Sequence, residues 1–431
     1  MTTSTMIAAG VRSRVSESAL AVGALAVVAL HVADDSFFQP QPGTSAADHL
    51  AGGLVPIALL GASAAAYPRS RAGLRAVLAL VFGLFALIVG IGEAGYYTLK
   101  VGASGDDYTG LLAIPAGLLL LGLGTATLWR TRRLDERRWR RYLRRGPLAF
   151  AGLAFLSMVM FPVALGYGAA HILRPVVPEA NLGTAYEDVS FRTSDGLDLE
   201  GWYIPSKNGA AVIAFPGRSG PRKHARLLAR HGYGVLLFDR RGEGASEGDG
   251  NLFGWGGDKD ILAAIEFLKK QPDVDPARIG GIGFSVGGEL MLQAAAETDE
   301  LAAVVSEGAG TRWLAEELDE LDTVDDPAPL KWLAIPTFVV KTAAVAVFSN
   351  TMPPPKLTDL VQKIEQPLFL IWAPNGGNLE TMNPVYHRLA SGPKQIWEIP
   401  DAKHIGGITA HPEEYERRVV GFFDRALLRD G

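Results

Sequence analysis

Ser285 stands at the centre of Gly283-Phe284-Ser285-Val286-Gly287, a G-x-S-x-G pattern in a 431-residue chain that contains no cysteine. Residues 278–283 before it read as a strand and Val286–Glu297 after it as a helix, the context a nucleophile elbow requires. So tight a turn imposes unusual backbone angles on the serine, leaving room only for small residues at Gly283 and Gly287. It also lifts the hydroxyl above the sheet, at the positive end of the following helix. The same glycines make no dinucleotide fingerprint, because Gly281-Ile282-Gly283 lacks the third glycine at the required spacing. A hydroxyl nucleophile needs a base. His404 lies between the last predicted strand and the C-terminal helix, where a loop can carry an imidazole back over the sheet. His224, His231, His387 and His411 fall on helical or surface stretches and are poorer choices. With no thiol in the chain, Cys nucleophiles, Cys-ligated zinc and disulfides are excluded.

The elements that must position these groups alternate from about Tyr186 onward. Strands are expected at 188–192, 197–203, 211–215, 234–238, 278–283, 301–305, 368–372 and 395–399. Helical stretches at 222–231, 258–270, 286–297 and 413–428 separate them. Such alternation predicts βαβ units and a mainly parallel sheet. The first two strands, joined near Ser194-Asp195-Gly196, should form an antiparallel hairpin. An insertion at 311–365 interrupts the pattern. It opens acidic (Glu316, Glu317, Asp319, Glu320, Asp322, Asp325, Asp326) and continues apolar over 333–348. It reads either as a cap lining an acyl pocket or as a helix packed on the sheet or touching a bilayer.

From about Ala185 to the C-terminus the chain resembles the α/β-hydrolase superfamily. The resemblance rests on the serine motif, on Asp239-Arg240-Arg241-Gly242-Glu243-Gly244-Ala245-Ser246 after the fourth strand, and on the late His404. It implies a mostly parallel eight-stranded sheet and acyl hydrolysis through a Ser…acid…His triad, with no metal or organic cofactor. In the family the D-x-R-G-x-G-x-S loop is mainly structural. The usual His-Gly oxyanion turn is replaced here by Phe215-Pro216-Gly217-Arg218. Backbone donors suffice, so the N–H groups of Val286 and Arg218 are the expected oxyanion hole; the Arg218 side chain could instead face an anionic substrate. The Asp usually found just past the seventh strand is missing. Glu380 is the first carboxylate there, with a helix-dipole role as its rival reading, and Glu307, past the sixth strand, is the second candidate acid.

Residues 1–175 carry 16 Lys+Arg against 9 Asp+Glu, and the remainder 25 against 37, which together give the net charge of −5. Apolar stretches at about 18–33, 49–67, 74–92, 108–129 and 148–171 approach the roughly 20 residues a bilayer-spanning helix needs. The first is either a span or a signal peptide. Arginines alternate between the connections, with nine from Arg130 to Arg145. The positive-inside rule then places the C-terminal half on the extracytoplasmic side. A basic run between two spans anchors topology on anionic lipid, and the acidic larger half argues against a nucleic-acid partner. His31, Asp34, Asp35, Asp48 and His49 match no metal-ligand spacing.

The expected architecture is therefore an all-α transmembrane region at 1–175 with four to five helices, followed by an α/β-hydrolase domain at 176–431 with its cap. The expected partners are the lipid bilayer and a small-molecule, lipid or peptide acyl substrate. The expected function is a membrane-anchored serine hydrolase. The alternative is a catalytically silent hydrolase fold serving as a binding module on a membrane anchor.

Overall fold

A computed structural model describes residues 3–131, 146–147, 150–323, 328–376 and 380–428. Most of the arginine run, Gly377 to Leu379 of the acid loop, and Asp325 and Asp326 of the cap lie outside the described residues. The chain divides into two compact units, Met1–Leu156 and Ser157–Gly431.

Among the described residues, five helices are long and apolar enough to cross a membrane: α1 (Ser16–Phe38), α2 (Leu50–Arg69), α3 (Ala72–Val101), α4 (Asp107–Arg130) and α5 (Phe150–Ala170). Within the first unit, α3 and α4 cross on small residues. A Cβ on Gly117 would sit 2.8 Å from the Gly83 carbonyl, and one on Gly90 would sit 2.8 Å from that of Gly110. Backbone contact through small residues is how apolar helices associate where no hydrophobic drive separates them from lipid. The first apolar segment belongs to this packing, with Ala21, Leu25 and Val28 buried in its core. Thr109 Oγ1 donates to Asp34 Oδ2 at 2.8 Å and lies 3.2 Å from His31 Nδ1. His49 pairs with Thr44.

The second unit is built on eight strands: β1 (Glu187–Arg192), β2 (Asp198–Ile204), β3 (Ala211–Phe215), β4 (Gly234–Phe238), β5 (Ile279–Phe284), β6 (Ala303–Glu307), β7 (Leu368–Trp372) and β8 (Lys394–Glu398). Their order is β1-β2-β4-β3-β5-β6-β7-β8. β1 and β2 form the antiparallel hairpin, β2 pairs antiparallel with β4, and all later pairings are parallel. β3 to β7 are buried along their whole length, as strands covered by helices on both faces must be, whereas the edge strands β1 and β8 are largely open.

One face is covered by α7 (Asp258–Leu268) and α8 (Val286–Glu297), the other by α6 (Arg222–Arg230) and α12 (Pro412–Phe423). The insertion forms α9 (Leu314–Thr323) and α10 (Ala328–Phe348), and α11 (Asn383–Leu389) follows β7. α10 packs on the C-terminal part of α5, where a Cβ on Gly166 would lie 2.5 Å from that of Ala344. Phe161–Ala170 of α5 packs with the cap, within the second unit.

The ends of β3 and β4 are tied by a buried ion pair. Arg218 donates to Asp239 from Nε (2.8 Å), Nη2 (2.7 Å) and its backbone N–H (2.8 Å). Removing one partner of such a pair strands a buried charge, at a cost of about 3–5 kcal/mol. Arg218→Ala should lower the unfolding free energy of the detergent-solubilised protein, measured by denaturant titration, by about that much. The Arg218→Ala/Asp239→Ala double variant should lose less than the sum of the two singles, and strict additivity would contradict the pairing.

Candidate active site

The turn from β5 into α8 is as tight as its sequence demands. Ser285 adopts φ 53°, ψ −124°, and its N–H donates to the Glu307 carbonyl on β6 at 2.9 Å. Positive φ at a residue with a Cβ costs on the order of 1–3 kcal/mol and persists only where the surroundings impose it. They do so here by leaving no space. A Cβ on Gly283 would lie 2.2 Å from the Gly287 carbonyl oxygen, and one on Gly287 would lie 2.7 Å from that of Phe215. Ser285 is thereby held at the N-terminus of α8. Val286, first in that helix, has no carbonyl one turn back to bond, so its N–H is available to an oxyanion.

His404 sits in the loop after β8, anchored by its own N–H to the Gly376 carbonyl at 3.0 Å. Its Nε2 is 2.9 Å from Ser285 Oγ and its Nδ1 is 2.5 Å from Glu380 Oε1. Glu380 is 1% exposed, and its other oxygen accepts the Ala373 N–H at 2.8 Å, at the end of β7. Three residues at positions 285, 380 and 404 thus form one hydrogen-bonded chain, with Glu380 facing the imidazole.

Glu307, the other candidate acid, does not reach His404. Its Oε1 accepts the Gly407 N–H (2.9 Å) and its Oε2 the Tyr415 hydroxyl (2.6 Å). It braces the loop that carries His404 from beneath. Burial pushes the Glu307 carboxyl above its ordinary value, against the opposing hydrogen bonds from Tyr415 and Gly407. Burial and the adjacent Glu307 likewise hold the Tyr415 hydroxyl in its protonated, donating form.

Two expectations for Arg218 are corrected. Its backbone N–H is spent on Asp239, which removes it as an oxyanion donor, and its guanidinium lies in the same buried pair under the Trp202 ring instead of facing a substrate. The 239–246 loop is structural. Ser246 Oγ bonds the Asp239 carbonyl at 2.6 Å and receives the Glu200 N–H at 2.9 Å, so it stitches β2 to β4. His224 is buried against Phe284, and burial lowers its pKa to about 3, which keeps the imidazole neutral. Among the described residues no group of three or more His, Asp or Glu could hold a metal ion.

Sequence reading missed a cavity of about 100 Å³ under the cap, lined by Phe253, Trp255, Glu289, Arg312, Phe338 and Lys341 among others. Glu289 lies one turn along α8 from Ser285. It pairs with Arg312 at 3.2 Å and accepts the Gly310 N–H at 3.3 Å, so the loop after β6 is held against α8. A glutamate in the first turn of the elbow helix, with an arginine soon after β6, is the signal that could have found this network.

Sheet order, elbow and crossing helices together define an α/β-hydrolase domain, and among the described residues five apolar, span-length helices precede it. A sequence profile of the X-Pro dipeptidyl-peptidase (S15) family matches residues 169–352. An uncharacterised protein of Mycobacterium tuberculosis is 39% identical over 138 residues, 30% of this chain and 48% of that one. The chain thus spans about half the length of that relative. The α/β-hydrolase domain-containing protein WAV2 of Arabidopsis thaliana is 27% identical over 312 residues, covering 65% of this chain and 92% of its own. Among solved structures, an esterase of Pyrococcus furiosus aligns over 59% of this chain and 98% of its own, at 24% identity and a TM-score of 0.47.

The buried Glu307 gives the fold a measurable pH response. Its folded pKa exceeds the ordinary 4.5, so between the two values the folded chain binds more protons than the unfolded chain. Its contribution to stability is present below 4.5 and lost as pH rises through the raised value. Glu307→Gln removes that loss. Unfolding midpoints of the variant should gain on wild type as pH rises above 4.5, whereas a pH-independent difference would contradict the assignment.

Proposed function

We propose that the protein is a membrane-anchored serine hydrolase whose nucleophile is Ser285. The observation that carries this is the unbroken Ser285–His404–Glu380 hydrogen-bond chain at the elbow. As Ser285 Oγ attacks an acyl carbonyl, His404 Nε2 takes its proton. Glu380, which accepts from Nδ1–H, fixes the imidazole tautomer and stabilises the imidazolium that forms. The tetrahedral oxyanion is met by the Val286 N–H at the positive end of α8. His404 then returns the proton to the leaving group, and water resolves the acyl-enzyme by the same steps in reverse. Esters, thioesters and amides all fit this acyl chemistry.

The five apolar helices support anchoring in a bilayer. The arginine-rich connections support an extracytoplasmic position for the hydrolase domain. A membrane-impermeant fluorophosphonate applied to intact cells tests nucleophile and sidedness together. Wild type should label and Ser285→Ala should not. Labelling only after permeabilisation would reject the outer placement, and labelling that persists in Ser285→Ala would reject the nucleophile. Glu380→Gln should keep the geometry but lower turnover by a factor on the order of 10⁴, as loss of the orienting acid does in such triads.

A further inference from the structure

We infer that α10 of the cap is embedded in the membrane beside α5, so that the cap cavity is supplied with acyl substrate from the lipid phase. The inference rests on the reading of α5 as a membrane span. α10 (Ala328–Phe348) has 21 residues, or about 31 Å of helix, and is apolar over Ala334–Phe348. That length lets the helix lie along α5 within the roughly 30 Å hydrocarbon core.

Its two faces are distinct. One abuts α5: Gly166 contacts Ala344 and the Lys341 carbonyl, and Tyr167 meets Phe348 edge-on at 5.1 Å. Backbone approach through small residues is the mode by which helices associate in lipid. On the other face, Val339, Ala343 and Val347 recur at every fourth position and are exposed, the two valines by 50% and 55%. On α5, Phe161 and Leu165 are also exposed, by 56% and 42%. Apolar stripes of this kind facing water would be costly at about 25 cal/mol per Å². Against the bilayer that already receives α5 they cost nothing.

Charge follows the same division. Lys341 is the one ionisable residue from Ala334 to Phe348, and it points inward, its ammonium 5.0 Å from the ring centroids of Phe253 and Phe338. A cation held on two ring faces inside the protein leaves the outer stripe free of charge. Phe338 and Lys341 also line the cavity that reaches Glu289, one turn from Ser285. A lipid-phase acyl chain leaving the bilayer along α10 therefore meets that cavity first.

The absence of cysteine makes the test direct. Full-length Val339→Cys, Val347→Cys, Leu165→Cys (on α5) and Lys270→Cys (a water-exposed reference) would each carry an environment-sensitive fluorophore. Each would be reconstituted into phosphatidylcholine vesicles containing acyl-chain spin-labelled lipid. Emission at 339 and 347 should be quenched as strongly as at 165, and emission at 270 should be unaffected. Quenching at 165 with none at 339 and 347 would overturn the inference while leaving α5 as a span. Blue-shifted but unquenched emission at 339 and 347 would mean that protein, not lipid, covers α10, and would overturn it too. Loss of quenching at 165 as well would instead remove the anchoring reading on which the inference stands.

Discussion

Everything at the candidate site depends on one compressed turn. Ser285 occupies positive φ because β5 and α8 approach too closely for a side chain at 283, because α8 approaches the end of β3 too closely for one at 287, and because the Ser285 N–H is held by the Glu307 carbonyl. The strain is sustained by the parallel strands at the centre of the sheet, which are buried along their length. What it yields is a hydroxyl above the sheet, next to an unpaired helix N-terminal N–H and within 2.9 Å of an imidazole. Pre-organisation of this kind moves the cost of orientation from the reaction to the fold.

The loops that complete the site are braced by carboxylates doing different jobs. Glu380 faces His404 directly, while Glu307 holds the backbone of the same loop through Gly407 and the α12 ring of Tyr415. Glu289, on the opposite side of the elbow, holds the loop after β6 through Gly310 and Arg312. Two of the three, Glu307 and Glu289, have proton affinities raised by burial. Stability of the elbow's surroundings and acidity of the medium are therefore linked by construction.

Much of this was legible in the residues. β3, β4 and β7 have the limits their apolar runs suggest, and α8 starts and ends where the serine motif and its helical pattern place it, because local patterning alone decides such elements. Spacing ranked Glu380 ahead of Glu307 but could not show their partners, 24 and 100 positions away, which distinguish them. The Arg218 N–H was misread for the same reason, as Asp239 claims it from 21 residues downstream. The cap was ambiguous because apolar periodicity cannot say what an apolar face touches, and the contact between Gly166 and Ala344 joins segments almost 180 residues apart.

The proposed chemistry is covalent: an acyl group passes through the Ser285 oxygen. Rapid acid quench of the protein with an activated acyl ester, followed by peptide mass mapping, reads this directly. An acyl mass is expected on the peptide bearing Ser285, accumulating with the first equivalent of leaving group and absent from His404→Ala. Release of leaving group with no acylated peptide, or with the acyl mass on another residue, would contradict it.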